Sequence, residues 1–206
     1  SAYLVQRANF IACHQPTFVD RLEMLDRAIP GGIFLLNTDA APDEVWDTLP
    51  IDVQRPIIEK GLRFFIIDAH KVARESGLGG RINTIMQTCF FATSGILPQE
   101  EAIERIKEEI RKSYSAKGAA AVQKNFAAVD RTLENLFEVQ VPAAAMSLKM
   151  RSVAVPDDAP SFVRDVTAKL IAGQGDDLPV SALPVDGTFP TATARWEKRG
   201  LAQEIP

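Results

Sequence analysis

The sequence predicts an α/β fold: a partial doubly wound parallel sheet of about three strands, a helical C-terminal half, and an irregular proline-rich tail. Three observations lead there. Short continuous apolar runs alternate with helical-period segments over the first 70 residues, as when both faces of a sheet are covered. The period then becomes helical only. From Val141 onward, Pro142, Pro156, Pro160, Pro179, Pro184 and Pro190 account for nearly half of the 13 prolines.

The elements follow in order. Phe10 to His14 reads as a buried strand. Phe18, Leu22, Leu25 and Ile29 recur at helical spacing, with Gly31-Gly32 as the stop. Ile33 to Leu36 is a second strand. Pro42, followed by Asp43 and Glu44, suits the first turn of a short helix. Pro50 interrupts, and a helix runs through Val53, Ile57 and Ile58 to Gly61. Leu62 to Ile67 is a third strand. Short connections between these elements imply parallel pairing with right-handed crossovers. So small a sheet has open edges, so further strands are expected upstream of Ser1.

Beyond Asp68 only helices are expected. Lys71 to Glu75 is one, broken by Gly77-Leu-Gly-Gly80. Ile82, Ile85, Met86, Cys89, Phe90 and Thr93 mark a strongly apolar helix. Pro98 opens another, with Ile103, Ile106 and Ile110 inward and Glu101/Arg105 and Glu108/Lys112 outward. Such i,i+4 pairs contribute roughly 0.2–0.5 kcal/mol each. A long helix carries Val122, Phe126, Val129, Leu133 and Leu136. A modest helix from Phe162 to Ile171, stopped by Gly173 and Gly175, lies within the tail.

Composition narrows the function. With 46% apolar and 24% charged residues the chain is an ordinary soluble one. A net charge of −4 argues against nucleic acid or an anionic membrane as the main partner. Apolar runs are strand-sized, too short to span a bilayer, and Ser1 to Val5 lacks the plan of a signal peptide. Cys13 and Cys89, far apart in apolar surroundings, read as two buried thiols in a reducing cytoplasm. No CxxC spacing exists to ligate an iron–sulfur cluster, and His14 and His70 are too few to complete a zinc site. No metal site and no catalytic constellation is expected on this chain.

Three places carry possible ligand chemistry. Parallel strands end in His14 with Gln15 and Thr17, in Asn37-Thr38, and in Asp68 with His70, the edge where open α/β sheets bind ligands. Those polar ends equally suit solvated loops. Cys13 and His14, adjacent on a strand, point to opposite faces and cannot converge. Gly77 to Gly80 before Arg81-Ile-Asn83 is either a helix C-cap with a turn or an anion-binding loop backed by Arg81. Asp186-Gly187 reads as a turn rather than a metal carboxylate, and Glu197-Lys198-Arg199 as a solvated charge cluster beside Trp196.

Several blocks resemble the pyruvate:ferredoxin (flavodoxin) oxidoreductases. They are Ala12-Cys-His-Gln15, Arg81-Ile-Asn-Thr-Ile-Met-Gln-Thr-Cys-Phe-Phe91, Asn125-Phe-Ala-Ala-Val-Asp130, and the tail Leu178 to Arg199 with its Glu-Lys-Arg run. The resemblance divides the chain into 1–140, a gamma-like catalytic domain truncated at its N-terminus, a linker 141–158, and an EKR region 159–206. It implies an enzyme that uses thiamine diphosphate, magnesium and [4Fe-4S] clusters to decarboxylate pyruvate. The acyl group passes to coenzyme A and two electrons to ferredoxin or flavodoxin. The thiamine and cluster sites belong to other domains, and this sequence has neither a GDG…NN signature nor cluster cysteines.

By position in the matching blocks, Arg81, Asn83 and Gln87 are expected to face the substrate or coenzyme A. Part of that site lies in a Gly-rich segment expected upstream of Ser1. Trp196, Glu197, Lys198 and Arg199 are expected to dock against other domains of the same polypeptide. The full enzyme is expected to be a cytoplasmic homodimer, the isolated fragment inactive. The alternative is a purely structural spacer between thiamine and cluster domains, without ligand contacts.

Overall fold

The computed structural model describes residues 5–151 and 154–196. They fall into two compact units, the first Ser1–Val19 with Met24–Met150, the second Asp20–Glu23 with Arg151–Pro206.

The first unit is built on a sheet in the order β1 (Ala8–Cys13), β2 (Ala28–Asn37), β3 (Arg63–Ile67), β4 (Phe137–Val139). The first three strands pair in parallel and β4 joins β3 antiparallel. Successive side chains of a strand face opposite sides, so the unbroken apolar runs build two cores. Phe34, Leu36, Phe64 and Ile66 face one side, covered by α1 (Val45–Thr48) and α2 (Ile51–Glu59) through Val45, Trp46, Val53 and Ile57. Phe34 and Phe64 stack there with ring centroids 5.3 Å apart. Leu35, Phe65 and Ile67 face the other, under α3 (Ala69–Glu75), α4 (Asn83–Thr93) and α6 (Ala119–Asn135). Helices on both faces make the sheet doubly wound, as expected.

The helical half adds α5 (Gln99–Tyr114), whose Ile106 and Ile110 pack with Val122 and Val129 of α6. Its outer face carries Arg105–Glu101 at 2.8 Å and Lys112–Glu108 at 3.1 Å, the two i,i+4 pairs expected.

Two expectations fail. The helix from Phe18 to Ile29 does not form: a 3₁₀ turn at Pro16–Phe18 and a series of turns replace it, and β2 already begins at Ala28. Phe18 and Leu22 are 43% and 37% exposed, while Val19 and Leu25 are buried. The apparent stripe therefore never becomes a packed face, and without packing so short a helix is unstable. Gly31-Gly32 does not cap a helix; it lets β2 bulge. The pairing jumps from Ala8↔Ala28 to Phe10↔Ile33. Gly31 sits at φ +73, and a Cβ on Gly32 would lie 3.0 Å from the Ile29 carbonyl oxygen. The second miss is β4. Arg63 and Glu138 fasten it in a bidentate pair at 2.8 and 2.9 Å that holds the Glu138 carboxyl below its usual range. Both side chains are about half exposed, so the pair adds little stability.

Buried amides fix two junctions. Asn37, 1% exposed, donates Nδ2–H to the His14 carbonyl (2.9 Å) and accepts the Ala69 N–H (2.9 Å). Gln54, equally buried, donates to the Trp46 carbonyl (2.8 Å) and accepts the N–H groups of Met146 (3.1 Å) and Ser147 (3.0 Å). Ile51 N–H to the Lys149 carbonyl (2.7 Å) and Lys149 Nζ to the Thr48 carbonyl (3.2 Å) extend that attachment.

The second unit packs Val155, Ala159 and Val163 against Ile171 and Trp196. Its helical stretch includes a π-helical turn, Val163–Thr167, before α7 (Ala168–Ile171). Glu23 joins it through Gln174 Nε2 (2.5 Å) and Arg151 (3.5 Å). Downstream come three short 3₁₀ turns, Gly175–Asp177, Val180–Ala182 and Thr193–Trp196.

The Asn37 bridge is expected to be costly to remove. Asn37→Leu leaves the fully buried Ala69 N–H unpaired, and the expected loss is about 1–3 kcal/mol in urea unfolding. A loss below about 0.5 kcal/mol, the scatter of neutral surface changes, would show that the bridge is dispensable.

Candidate functional site

The glycine segment resolves into a helix stop. Gly77 takes φ +71, its N–H meets the Arg74 carbonyl (3.1 Å), and the Leu78 N–H reaches back to the Ala73 carbonyl (2.8 Å). These are the two bonds of a Schellman cap on α3. Leu78 then packs on the core beneath α3 and α4. The glycines thus end one helix, and the chain turns through Arg81, exposed, into α4.

Arg81 lines a cleft of about 240 Å³ with Gly77, Tyr114, Lys117, Lys124 and Asn125. Three cations and no carboxylate line it. The Lys124 stem passes 3.4 Å from where a Gly77 Cβ would stand. Lys117 Nζ lies 5.1 Å from the Tyr114 ring centroid, a cation–π contact. Asn125 is buried, donates to the Ala121 carbonyl (2.9 Å) and accepts from Thr84 Oγ1 (3.3 Å), joining α6 to α4. Neither α4 nor α6 carries an acidic residue in its first turn or a side-chain N-cap. The N-terminus of α6, whose Ala120 and Ala121 line this cleft, adds its positive end to the cations.

Asn83 and Gln87, at i and i+4 on α4, lie elsewhere. They line a neighbouring cleft of about 340 Å³ between α4 and α5, with Phe91, Ile106, Ile110 and Tyr114. The structure divides the three expected residues: Arg81 on the cationic cleft, Asn83 and Gln87 on the apolar one, with Tyr114 shared by both. Lys117, Lys124 and Tyr114 escaped sequence reasoning. They come from α5, the turn after it, and α6, and only the packing of α5 and α6 brings them near Arg81.

At the strand ends His14, Gln15 and Thr17 are exposed, while Asn37, Asp68 and Thr38 are engaged internally. Asn37 makes the bridge described above, Asp68 caps α3 by accepting the Lys71 N–H (2.8 Å), and Thr38 Oγ1 accepts the Ala40 N–H (3.2 Å). Asp186 forms the expected turn, accepting from Thr188 N–H (3.0 Å) and Oγ1 (2.8 Å), which holds its carboxyl below the usual range. Cys13 packs in one core and Cys89 in the core on the other face of the sheet. The described residues contain no group of three His, Cys, Asp or Glu side chains able to hold a metal ion. Among them no helix is long and apolar enough to cross a membrane. Trp196 is partly buried against Val155, Ala159 and Val163, with the Arg195 guanidinium 4.6 Å from its ring centroid. Glu197, Lys198 and Arg199 lie outside the described residues.

The doubly wound α/β arrangement of the first unit has a counterpart among solved structures. The PORC subunit of the Thermotoga maritima pyruvate oxidoreductase has a similar fold, with TM-score 0.50 at 19% identity, covering 66% of this chain and 67% of that one. Sequence comparison goes further. The pyruvate ferredoxin/flavodoxin oxidoreductase family matches residues 1–135, and the EKR domain, described as of unknown function, matches residues 149–202. The chain belongs to the pyruvate ferredoxin/flavodoxin oxidoreductase family. It is 53% identical over 208 residues to a putative pyruvate-flavodoxin oxidoreductase of Synechocystis, covering 100% of this chain and 17% of that protein. The pyruvate-flavodoxin oxidoreductase of Rhodospirillum rubrum is 53% identical over 203 residues, covering 98% of this chain and 17% of its own length. The pyruvate:ferredoxin oxidoreductase of Moorella thermoacetica is 46% identical over 206 residues, covering 100% and 18%. The chain thus spans 17–18% of the length of these relatives.

Burial pushes the Cys13 thiol up from its ordinary 9.0 to about 11 and the Cys89 thiol to about 12. Both are neutral when folded, whereas in the unfolded chain they ionise near pH 9.0. Above that pH the unfolded state holds fewer protons, so stability falls as pH rises. The contribution is complete below pH 9.0 and is lost progressively toward pH 11 and 12. Urea midpoints measured across this range should fall more steeply in the native chain than in a Cys13→Ala/Cys89→Ala double variant. Equal slopes would refute the assignment.

Proposed function

We propose that the chain is the central part of a thiamine-diphosphate- and iron–sulfur-dependent pyruvate:ferredoxin/flavodoxin oxidoreductase. In the full enzyme pyruvate loses carbon dioxide, the acetyl group joins the coenzyme A thiol, and two electrons leave with ferredoxin or flavodoxin. This chain supplies coenzyme A contacts and packing between domains. The relatives' names support the overall reaction. The placement of thiamine diphosphate, magnesium and the [4Fe-4S] clusters on other domains fits two cysteines separated by the sheet.

One observation carries the role of this chain: Arg81, Lys117 and Lys124 converge on one cleft without an acid. Coenzyme A is a polyphosphate ester, and guanidinium with ammonium groups is the side-chain chemistry that holds phosphates. The adjoining cleft offers the amides of Asn83 and Gln87 above an apolar floor, suited to a chain that alternates methylenes with amides.

The proposed division is 1–140 as the gamma-like domain, 141–158 as linker and 159–206 as the EKR region. It is supported by a unit boundary at Met150/Arg151. Trp196 to Arg199 is proposed as a docking segment. Trp196, seated in its own core, fixes where the chain emerges. The full protein is proposed to be a cytoplasmic homodimer.

A second reading, a structural spacer without ligand contacts, draws on the glycines: they are spent on capping α3. Arg81→Ala in the full-length enzyme separates the two. Loss of a charge-assisted contact should weaken coenzyme A binding by roughly 10–100-fold in calorimetry, with the thermal midpoint unchanged. Unchanged affinity would favour the spacer.

A further inference from the structure

Met146, Leu148 and Met150 stand at alternate positions of a segment without helix or strand, and they are 75%, 99% and 70% exposed. Such alternation ordinarily turns apolar side chains inward. Here the polar members bond to the protein backbone, although Lys149 is itself exposed. Ser147 is half-buried, with its Oγ accepting the Lys149 N–H (3.2 Å), and Lys149 Nζ donates to the Thr48 carbonyl (3.2 Å).

The segment is fastened in this orientation. The buried Gln54 side chain accepts two successive N–H groups, from Met146 and Ser147, and the Lys149 carbonyl accepts the Ile51 N–H. One amide oxygen taking both N–H groups fixes the backbone just before Leu148. The hydrogen bonds therefore impose the exposure of three large apolar groups, and burial is the largest favourable contribution left to them. Two of the three are methionines, whose unbranched side chains adapt to a receiving surface.

We propose that Met146, Leu148 and Met150 form a docking ridge for another domain of the same polypeptide, one that presents an apolar concavity. The occupant follows from length: relatives matched over essentially the whole of this chain are covered only to 17–18%. More than four-fifths of such a protein therefore lies outside these residues. The inference rests on the reading of the chain as part of a longer oxidoreductase.

The test uses the native full-length protein, whose denatured mass first decides that reading: a native polypeptide of 22.6 kDa would end both it and the ridge's occupant. In the long polypeptide, peroxide should oxidise Met146 and Met150 roughly tenfold more slowly than in the urea-unfolded protein, since oxidation follows exposure. Rates within about twofold of the unfolded protein would overturn the ridge alone. A photoreactive diazirine analogue at Leu148 then identifies the occupant. Crosslinks to peptides of the same polypeptide outside these 206 residues are expected. Crosslinks to a second copy, seen as a doubled denatured mass, or back into these residues would overturn the proposal.

Discussion

The first unit depends on how its parallel sheet ends. Strands covered on both faces carry almost no polar side chains, so the backbone leaving their C-terminal edge must find partners locally. Asn37 supplies them from the last residue of β2. Its amide donates toward the residue following β1 and accepts from the first residue of α3, just beyond β3. One neutral side chain thereby ties all three parallel strands at the edge where the crossovers begin. A carboxylate there would accept but not donate, and would bring a charge into a site 1% exposed.

The same device recurs. Gln54 joins α1, α2 and residues 146–147, and Asn125 joins α4 to α6. Each amide presents a donor and an acceptor, so it can link two elements without a counter-ion. A buried ion pair in these places would add a desolvation cost for two charges and would tolerate less movement of either partner. These are high-stakes positions all the same, because a half-satisfied amide in the core costs more than an apolar residue.

Much of this fold was legible. The parallel strands, the short helices between β2 and β3, and α3 to α6 follow from apolar period alone, since their residues face two cores or one. Phe18 to Ile29 misled because period is necessary for a helix and not sufficient: Phe18 and Leu22 stay 43% and 37% exposed while Val19 and Leu25 are buried. In the same stretch Pro30, Gly31 and Gly32 read as a stop and act as a bulge inside β2, a distinction decided by the partner strand. β4, three residues long, carries too little pattern of its own and exists because the β3 edge pairs it. Asn37 was legible as a polar residue at a strand end, yet its task depends on His14 and Ala69, which the sequence places 23 and 32 residues away. The cleft shows the same limit. Arg81 could be singled out beside glycines, but Lys117 and Lys124 have no local signature and gain meaning only from the fold.

The cleft also runs against the chain's overall charge. A net charge of −4 disfavours anions at long range, so the whole chain offers no electrostatic steering to one. Locally the balance reverses: Arg81, Lys117 and Lys124 line one cleft with the uncapped N-terminus of α6 and without a carboxylate. On α5, Glu101 and Glu108 engage Arg105 and Lys112 along that helix. The local excess of positive charge is thus a property of one corner, created by where α3 stops and where α6 starts. Gly77 is central to it for a reason separate from any ligand. It ends α3 in a left-handed turn that any side chain would strain, and the Lys124 stem runs beside it. A residue that reads as a helix cap therefore also lines the cationic cleft, where its positive φ sets the turn that leads the chain to Arg81.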